Sequence, residues 1–208
     1  MPITTGKRYY DTLNRYEVRT LEELERKHPG ALRNEIILPN IEDGKLLALR
    51  LQQDIDLALI VPGVFEARQQ KWSQEEYMVL WLRFITSSAQ AVYLSDGWEY
   101  SNGGAIEYVR ALTIQDSSVL GLFKRPDHFS IFDHRGNRIT EIEATEKLAK
   151  AIEYLDNHKF DSTVLRHELA LIGGIAFHMG DRSHHITLKI LEICDSVKVS
   201  PSFDLSNV

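Results

Sequence analysis

The chain contains little of what marks secreted or membrane-spanning proteins. It has one cysteine, Cys194, in 208 residues, which excludes an internal disulfide and indicates a reducing compartment. Its apolar runs are much shorter than a membrane span, and its first residues lack the apolar segment of a signal peptide. We therefore expect a cytoplasmic protein that does not associate with a membrane.

The chain also has no excess of positively charged residues over negatively charged ones. The formal net charge is −6, from 24 Lys and Arg against 30 Asp and Glu, so we expect no nucleic-acid polymer as a partner. The eight histidines show no spacing typical of a zinc site, and neither a metal nor another cofactor is expected. With 43% hydrophobic and 26% charged residues, the composition is that of a globular protein with one good core.

Apolar runs and helical patterns alternate in the middle of the chain. Strands are predicted at 35–39, 56–61, 91–94 and 119–123, with helices at 43–53, 73–85 and 104–113. This alternation predicts an α/β fold, a Rossmann-like parallel sheet of four to five strands flanked by helices.

The ends of the chain differ from this middle part. Residues 1–33 are interpreted as an N-terminal extension and 34–125 as the α/β core. Residues 126–208 predict a hairpin followed by three helices, at about 141–157, 162–179 and 183–195. We expect them to form a helical C-terminal extension that packs on the core or on a partner subunit.

The most informative segment follows the third predicted strand, where residues 97–107 read Gly-Trp-Glu-Tyr-Ser-Asn-Gly-Gly-Ala-Ile-Glu. Ligand crevices of α/β proteins lie outside the carboxyl ends of the strands, and glycine amides at a helix N-terminus favour an anion. Ser101, Gly103 and Gly104 therefore predict a phosphate cradle, with the carboxylate of Glu107 facing the same crevice. An alternative stays open, in which Ser101 or Asn102 merely caps the helix and Glu107 lies on its solvated face.

This segment resembles the loop of the nucleoside 2-deoxyribosyltransferase-like family, which includes deoxyribosyltransferases, nucleoside 5′-monophosphate N-glycosidases and CMP hydrolases. The matching residues are Gly97, Trp98, Glu99, Ser101, Gly104, Ala105 and Glu107. The resemblance implies that Glu107 is the catalytic carboxylate. It also implies a 5′-monophosphate substrate, because relatives that act on free nucleosides typically carry Asp where this chain has Ser101. Relatives complete the active site with a neighbouring subunit, which implies a homodimer or a higher homo-oligomer.

Further side chains are candidates for the same site. Cleavage of an N-glycosidic bond develops positive charge on the sugar, which a carboxylate can stabilise or attack. The departing base also needs a proton, and the local acids are Asp96 and Glu99; we favour Asp96 because it directly follows the strand. The other predicted substrate-binding residues are Trp98, Asn40, Arg68 and Trp72.

Some of these candidates have a competing interpretation. Asn40 is predicted to bond the base or the sugar, although a turn residue there would look the same. Arg68 suits a bidentate phosphate contact. Trp72 can stack on a base or belong to the core. Many family members also place a carboxylate near the base in the helix before the third strand, and the corresponding segment here, 80–84, has none.

Taken together, the residues predict a hydrolase that cleaves the N-glycosidic bond of a nucleoside 5′-monophosphate. One alternative is a deoxyribosyltransferase that moves the sugar between bases. Another is a non-catalytic nucleotide-sensing module in which Glu107 holds ribose hydroxyls. A weaker resemblance, to Rossmann-like enzymes with a Gly-Gly-x-Gly-Thr-x-x-Glu loop, lacks the threonine and the second glycine pair.

Overall fold

The structure, a computed structural model, describes residues 6–54, 58–61, 73–115, 129–178 and 184–202. Its α-helices are α1 (Lys7–Arg15), α2 (Leu21–Lys27), α3 (Leu38–Asp54), α4 (Gln74–Ser87), α5 (Asn102–Gln115), α6 (Glu141–Asn157), α7 (Thr163–His178) and α8 (His184–Ser196). A π-helical turn, Leu32–Ile37, leads into α3, and a 3-10 turn, Trp98–Tyr100, precedes α5. The strands are β1 (Ala91–Tyr93) and β2 (Ser130–Phe132).

The prediction of a Rossmann-like sheet with four to five strands is wrong, because the described part of the chain is mostly helical. Its sheet has two parallel strands, which pair Ala91 with Ser130, Val92 with Ile131 and Tyr93 with Phe132. The predicted strand at 91–94 is confirmed as β1. The predicted strand at 119–123 lies outside the described residues, and at 58–61 the chain has no regular secondary structure.

The predicted strand at 35–39 is helical instead. The π-helical turn runs through Ile36 and Ile37, and α3 begins directly after it. Ile36 is fully buried in a small cluster with side chains of α1 and α2, so packing overrides the strand preference of a β-branched pair. Pro39 interrupts the regular ladder of helical hydrogen bonds, and the wider π turn lies just before this interruption.

Helices with clear capping signals are confirmed. α4 begins with a capping box, in which the Glu76 amide donates to Ser73 Oγ at 3.2 Å and the Ser73 amide donates to Glu76 Oε2 at 2.7 Å. The three C-terminal helices, α6 to α8, match their predicted ranges within one residue at each end. The predicted division of the chain at residues 33 and 125 stays a prediction.

The main hydrophobic core joins α5 to the C-terminal helices. Its fully buried side chains include Leu112, Leu148, Ile152, Leu169 and Ile190. The spacing of three and four residues along α6 places one apolar stripe of that helix in this core. Within this core α5 packs against α7, and α6, α7 and α8 pack against one another. None of the helices in the described ranges combines the length and apolarity needed to cross a bilayer.

The parallel pairing of β1 and β2 positions the candidate site. Tyr93 and Phe132, the last residues of the two strands, stack with ring centroids 4.8 Å apart. The Leu94 amide continues the pairing by donating to the Phe132 carbonyl oxygen at 2.8 Å. As a result, the loop after β1 and the turn after β2 leave the sheet at the same end.

Candidate active site

A cleft runs along α3 beside this end of the sheet. It consists of three adjoining cavities, which we call the apolar cavity (about 370 Å³), the central cavity (about 320 Å³) and the polar cavity (about 650 Å³). Leu47 and Ser95 line both the apolar and the central cavity. Asn40, Asp43 and Asp96 line both the central and the polar cavity. A ligand that spans the cleft therefore meets an apolar surface at one end and charged groups at the other.

Glu107 lies at the apolar cavity. It lies in the second turn of α5 and is 9% exposed. Of the described residues that line this cavity, it is the only charged one. Residues of α3, α4 and β1 form much of the rest of the wall, including Leu51, Trp81, Phe84 and Tyr93, and residues 58–61 contribute to it as well. A carboxylate in such surroundings interacts strongly with positive charge that develops on a ligand.

Ser101 holds the start of α5. The Gly104 amide donates to Ser101 Oγ at 3.3 Å, and the Ala105 amide donates to the Ser101 carbonyl oxygen at 2.9 Å. This is the arrangement of an N-cap residue. Ser101 is 1% exposed, so its predicted phosphate contact requires the loop to open toward the ligand, and that contact stays a prediction.

The two glycines of the loop have different surroundings. A Cβ atom on Gly104 would lie 2.6 Å from the Trp98 carbonyl oxygen, so only glycine lets the loop approach α5 this closely. A Cβ atom on Gly103 would meet Met78 Sδ at an ordinary 3.5 Å. Gly104 therefore has a packing role. The predicted phosphate contacts of both glycines stay predictions.

Trp98 lies in the main core. It is 2% exposed, and its ring stacks on Tyr108 of α5 with centroids 4.9 Å apart. Gly97, with a φ of 71°, turns the chain just before it. Trp98 thus anchors the loop to α5, and its predicted contact with a substrate stays a prediction.

Asp96 and Asn40 face the cleft from opposite sides. The Asp96 side chain is 89% exposed, and its Oδ1 lies 3.7 Å from His134 Nδ1. Asn40 is buried, and its Oδ1 accepts a hydrogen bond from Arg8 Nη1 at 2.5 Å. Arg8 also donates to Asp43 Oδ2 at 2.8 Å, so the guanidinium links both side chains of α3.

Glu99, the alternative acid, lines the polar cavity beside Asp96. Burial raises the pKa of the Glu99 carboxyl, and a bond from its own backbone amide opposes this shift. Arg68 and Trp72 lie outside the described residues. The structure thus brings Asn40, Asp96 and Glu107 to one cleft, while Trp98, Ser101 and Gly104 hold its framework.

Two further residues of this cleft, Arg50 and His134, line the central cavity and were not predicted from the sequence. His134 follows β2 just as Asp96 follows β1, and this parallel position was the signal that could have found it. Groups of three or more metal-ligating side chains do not occur in the part of the chain that the structure describes.

Comparisons with protein-family models, with curated proteins and with solved structures each find no match to this chain. The resemblance of residues 97–107 to the deoxyribosyltransferase-like loop therefore stays a prediction, and the function must be argued from the cleft itself.

Proposed function

We propose that the cleft binds a nucleoside 5′-monophosphate and hydrolyses its N-glycosidic bond, with Glu107 as the reacting carboxylate. The observation that carries this proposal is the place of Glu107, a buried acid at an apolar cavity beside the end of β1. Aromatic side chains and a carboxylate are what a nucleotide base and the adjoining sugar carbon require.

The ligand is expected to lie along the cleft. The base contacts Trp81, Phe84 and Tyr93, which offer flat apolar surfaces at the apolar cavity. The sugar then lies near Glu107, and Asn40 supplies an amide for a hydroxyl group or the base. Ser101 is expected to contact a phosphate oxygen of the ligand when the loop opens.

The reaction then has two steps. As the bond between the base and sugar C1′ breaks, its electron pair goes to the base, which takes a proton from a group at the central cavity, where Asp96 lies. The Glu107 carboxylate bonds to C1′ and forms an ester. A water molecule then attacks C1′, the ester breaks, and the water proton returns to the acid. The products are the free base and (deoxy)ribose 5-phosphate.

The test is a screen of the purified protein against the common ribo- and deoxyribonucleoside 5′-monophosphates, with chromatography of the bases released. We expect release from at least one monophosphate and much slower release from its nucleoside. Release that requires a second free base would identify a transferase instead. Tight binding without any release would support the sensing module and refute the hydrolase.

We also propose that the working unit is a homodimer in the cytoplasm. Apolar side chains of α3 and α4 are about half exposed, among them Leu49 and Val79. A symmetric contact would cover such a surface. Sedimentation equilibrium at micromolar concentration tests this, and a mass of 23.9 kDa with full activity at that dilution would exclude the dimer as the working unit.

A further inference from the structure

His134 occupies a defined position at the central cavity. Its side chain is 27% exposed, and its Nδ1 faces the Asp96 carboxylate at 3.7 Å. Because β1 and β2 are parallel, Asp96 and His134 leave the same end of the sheet, and the central cavity joins the apolar cavity of Glu107 at Ser95 and Leu47. A histidine and two carboxylates thus share one cleft.

The turn that carries His134 is held by its own hydrogen bonds. Asp133 Oδ1 accepts from the amides of Arg135 and Asn137, both at 2.8 Å. Arg50 of α3 donates to the His134 carbonyl oxygen. The backbone of the turn is therefore held by Asp133 within the turn and by Arg50 from α3.

The contacts of the ring define its tautomer. His134 Nε2 accepts a hydrogen bond from Arg135 Nε at 3.2 Å, so the proton of the neutral ring lies on Nδ1, toward Asp96. In histidine acids and bases a carboxylate orients Nδ1–H and leaves Nε2 for chemistry. Asp96 lies on the required side of the ring, and its Oδ1, at 3.7 Å from Nδ1, is slightly beyond hydrogen-bond distance. The exposed Arg135 side chain is the group that a ligand would replace at Nε2.

We propose that His134 donates the proton to the departing base and that Asp96 is its positioning residue. This inference rests on the proposed hydrolase. Once the ligand has replaced Arg135, Nε2 takes a proton from solvent. As the N-glycosidic bond breaks, this proton moves from the imidazolium to the base, which has received the electron pair of that bond. When water later attacks C1′, its proton returns to Nε2, and the ring is ready for the next cycle.

Leaving-group dependence tests the proton donor. 4-Nitrophenolate departs as a stable anion without a proton, so His134→Gln should slow base release from the best nucleotide by about 100-fold or more. The same variant should cleave 4-nitrophenyl riboside 5-phosphate within about threefold of wild type. His185→Gln, a substitution at an exposed position of α8, is the matched control and should leave both rates unchanged.

The outcomes separate the two proposals. Equal losses on both substrates, or no loss on either, would refute the role of His134 and leave the hydrolase intact. Absence of base release by wild type from every nucleotide would refute the hydrolase, and the inference with it.

A second measurement does not depend on turnover. Nitrogen-15 correlation spectra of the histidine rings should show His134 as the Nδ1–H tautomer when neutral, and Asp96→Asn should increase the Nε2–H form. An Nε2–H ring in wild type, or a ring that does not respond to Asp96→Asn, would overturn the positioning role of Asp96.

Discussion

Two glutamates among the described residues are buried, yet they occupy different surroundings. Glu107 of α5 is 9% exposed and lines the apolar cavity, whereas Glu168 of α7 is 6% exposed and lies among the packed helices. Burial raises the pKa of the Glu168 carboxyl to about 7, and the positive charge of Arg110 partly opposes this shift. Burial is therefore common to both glutamates, and what distinguishes Glu107 is its place at the apolar cavity.

The two surroundings are connected through α5, the helix that carries Glu107. Arg110 follows Glu107 by one helical turn, and it lies close enough to Glu168 to influence its pKa. Burial also lowers the pKa of Arg110 itself. α5 thus carries a residue that lines the cleft and, one turn later, a residue that interacts with α7, and substitutions of Glu107 and Glu168 should have separable effects on activity and stability.

The largest expected effect is on activity. Glu107→Gln keeps the shape of the side chain but removes the nucleophile, so base release should fall at least about 1,000-fold, which corresponds to about 4 kcal/mol of transition-state stabilisation. Glu168→Gln is the matched control and should retain activity within about threefold. Steady-state kinetics with chromatographic detection measures the base-release rates of both variants. Near-wild-type turnover of Glu107→Gln would show that Glu107 and Glu168 do not differ in the way proposed.

The next effect is on stability and involves the two glycines before Glu107. Gly104→Ala forces a Cβ atom against the Trp98 carbonyl oxygen, and we expect a loss of about 1–3 kcal/mol in the free energy of unfolding. Gly103→Ala meets only ordinary contacts and should leave that free energy unchanged or slightly raised. Urea unfolding compares the two, and equal losses would contradict the packing role of Gly104.

Glu168 should make stability depend on pH. Its folded pKa of about 7 lies above the ordinary value of 4.5, so the folded protein holds this proton more tightly than the unfolded chain does. The free energy of unfolding therefore decreases as pH rises from about 4.5 through 7. Glu168→Gln should flatten this profile. The free energy of unfolding of the variant, compared with that of wild type, should be about 1–2 kcal/mol more favourable at pH 8 than at pH 5. An unchanged profile, measured by urea unfolding at both pH values, would refute this account.

The smallest expected effect concerns Ser101. Ser101→Ala removes the N-cap acceptor of α5 and should cost about 1 kcal/mol of stability. Ser101→Asp keeps a cap acceptor but brings a negative charge to the start of the helix, so it should keep most of the stability and slow the release of base from monophosphates. Thermal melting and the base-release assay together distinguish the cap from the phosphate contact. If Ser101→Asp hydrolyses monophosphates at the wild-type rate, Ser101 has no phosphate role.

Local signals predicted the helices well and the sheet poorly. The capping box of α4 and the apolar stripe of α6 are encoded within a few residues, so the sequence reveals them directly. A short β-branched run such as Ile36-Ile37 fits either a strand or a buried helix. Its outcome depends on packing against α1 and α2, which no local pattern shows.

In the candidate site, too, local sequence patterns were informative and long-range contacts were not visible in the sequence. Glu107 and Asp96 were found because they flank a distinctive loop, and both line the cleft. Trp98 belongs to the same loop, but its place in the core depends on Tyr108 across the turn. His134 was missed because its approach to Asp96 depends on the pairing of two strands that are distant in sequence.

The claim that Glu107 reacts with the sugar is tested most directly by trapping the ester. A 2′-fluoro analogue of the best nucleotide slows the second step, and intact-protein and peptide mass spectrometry then locates the bound sugar phosphate. We predict one adduct per chain, on the peptide that contains Glu107, and no adduct in Glu107→Gln. An adduct on another carboxylate, or undiminished base release by Glu107→Gln, would contradict the account.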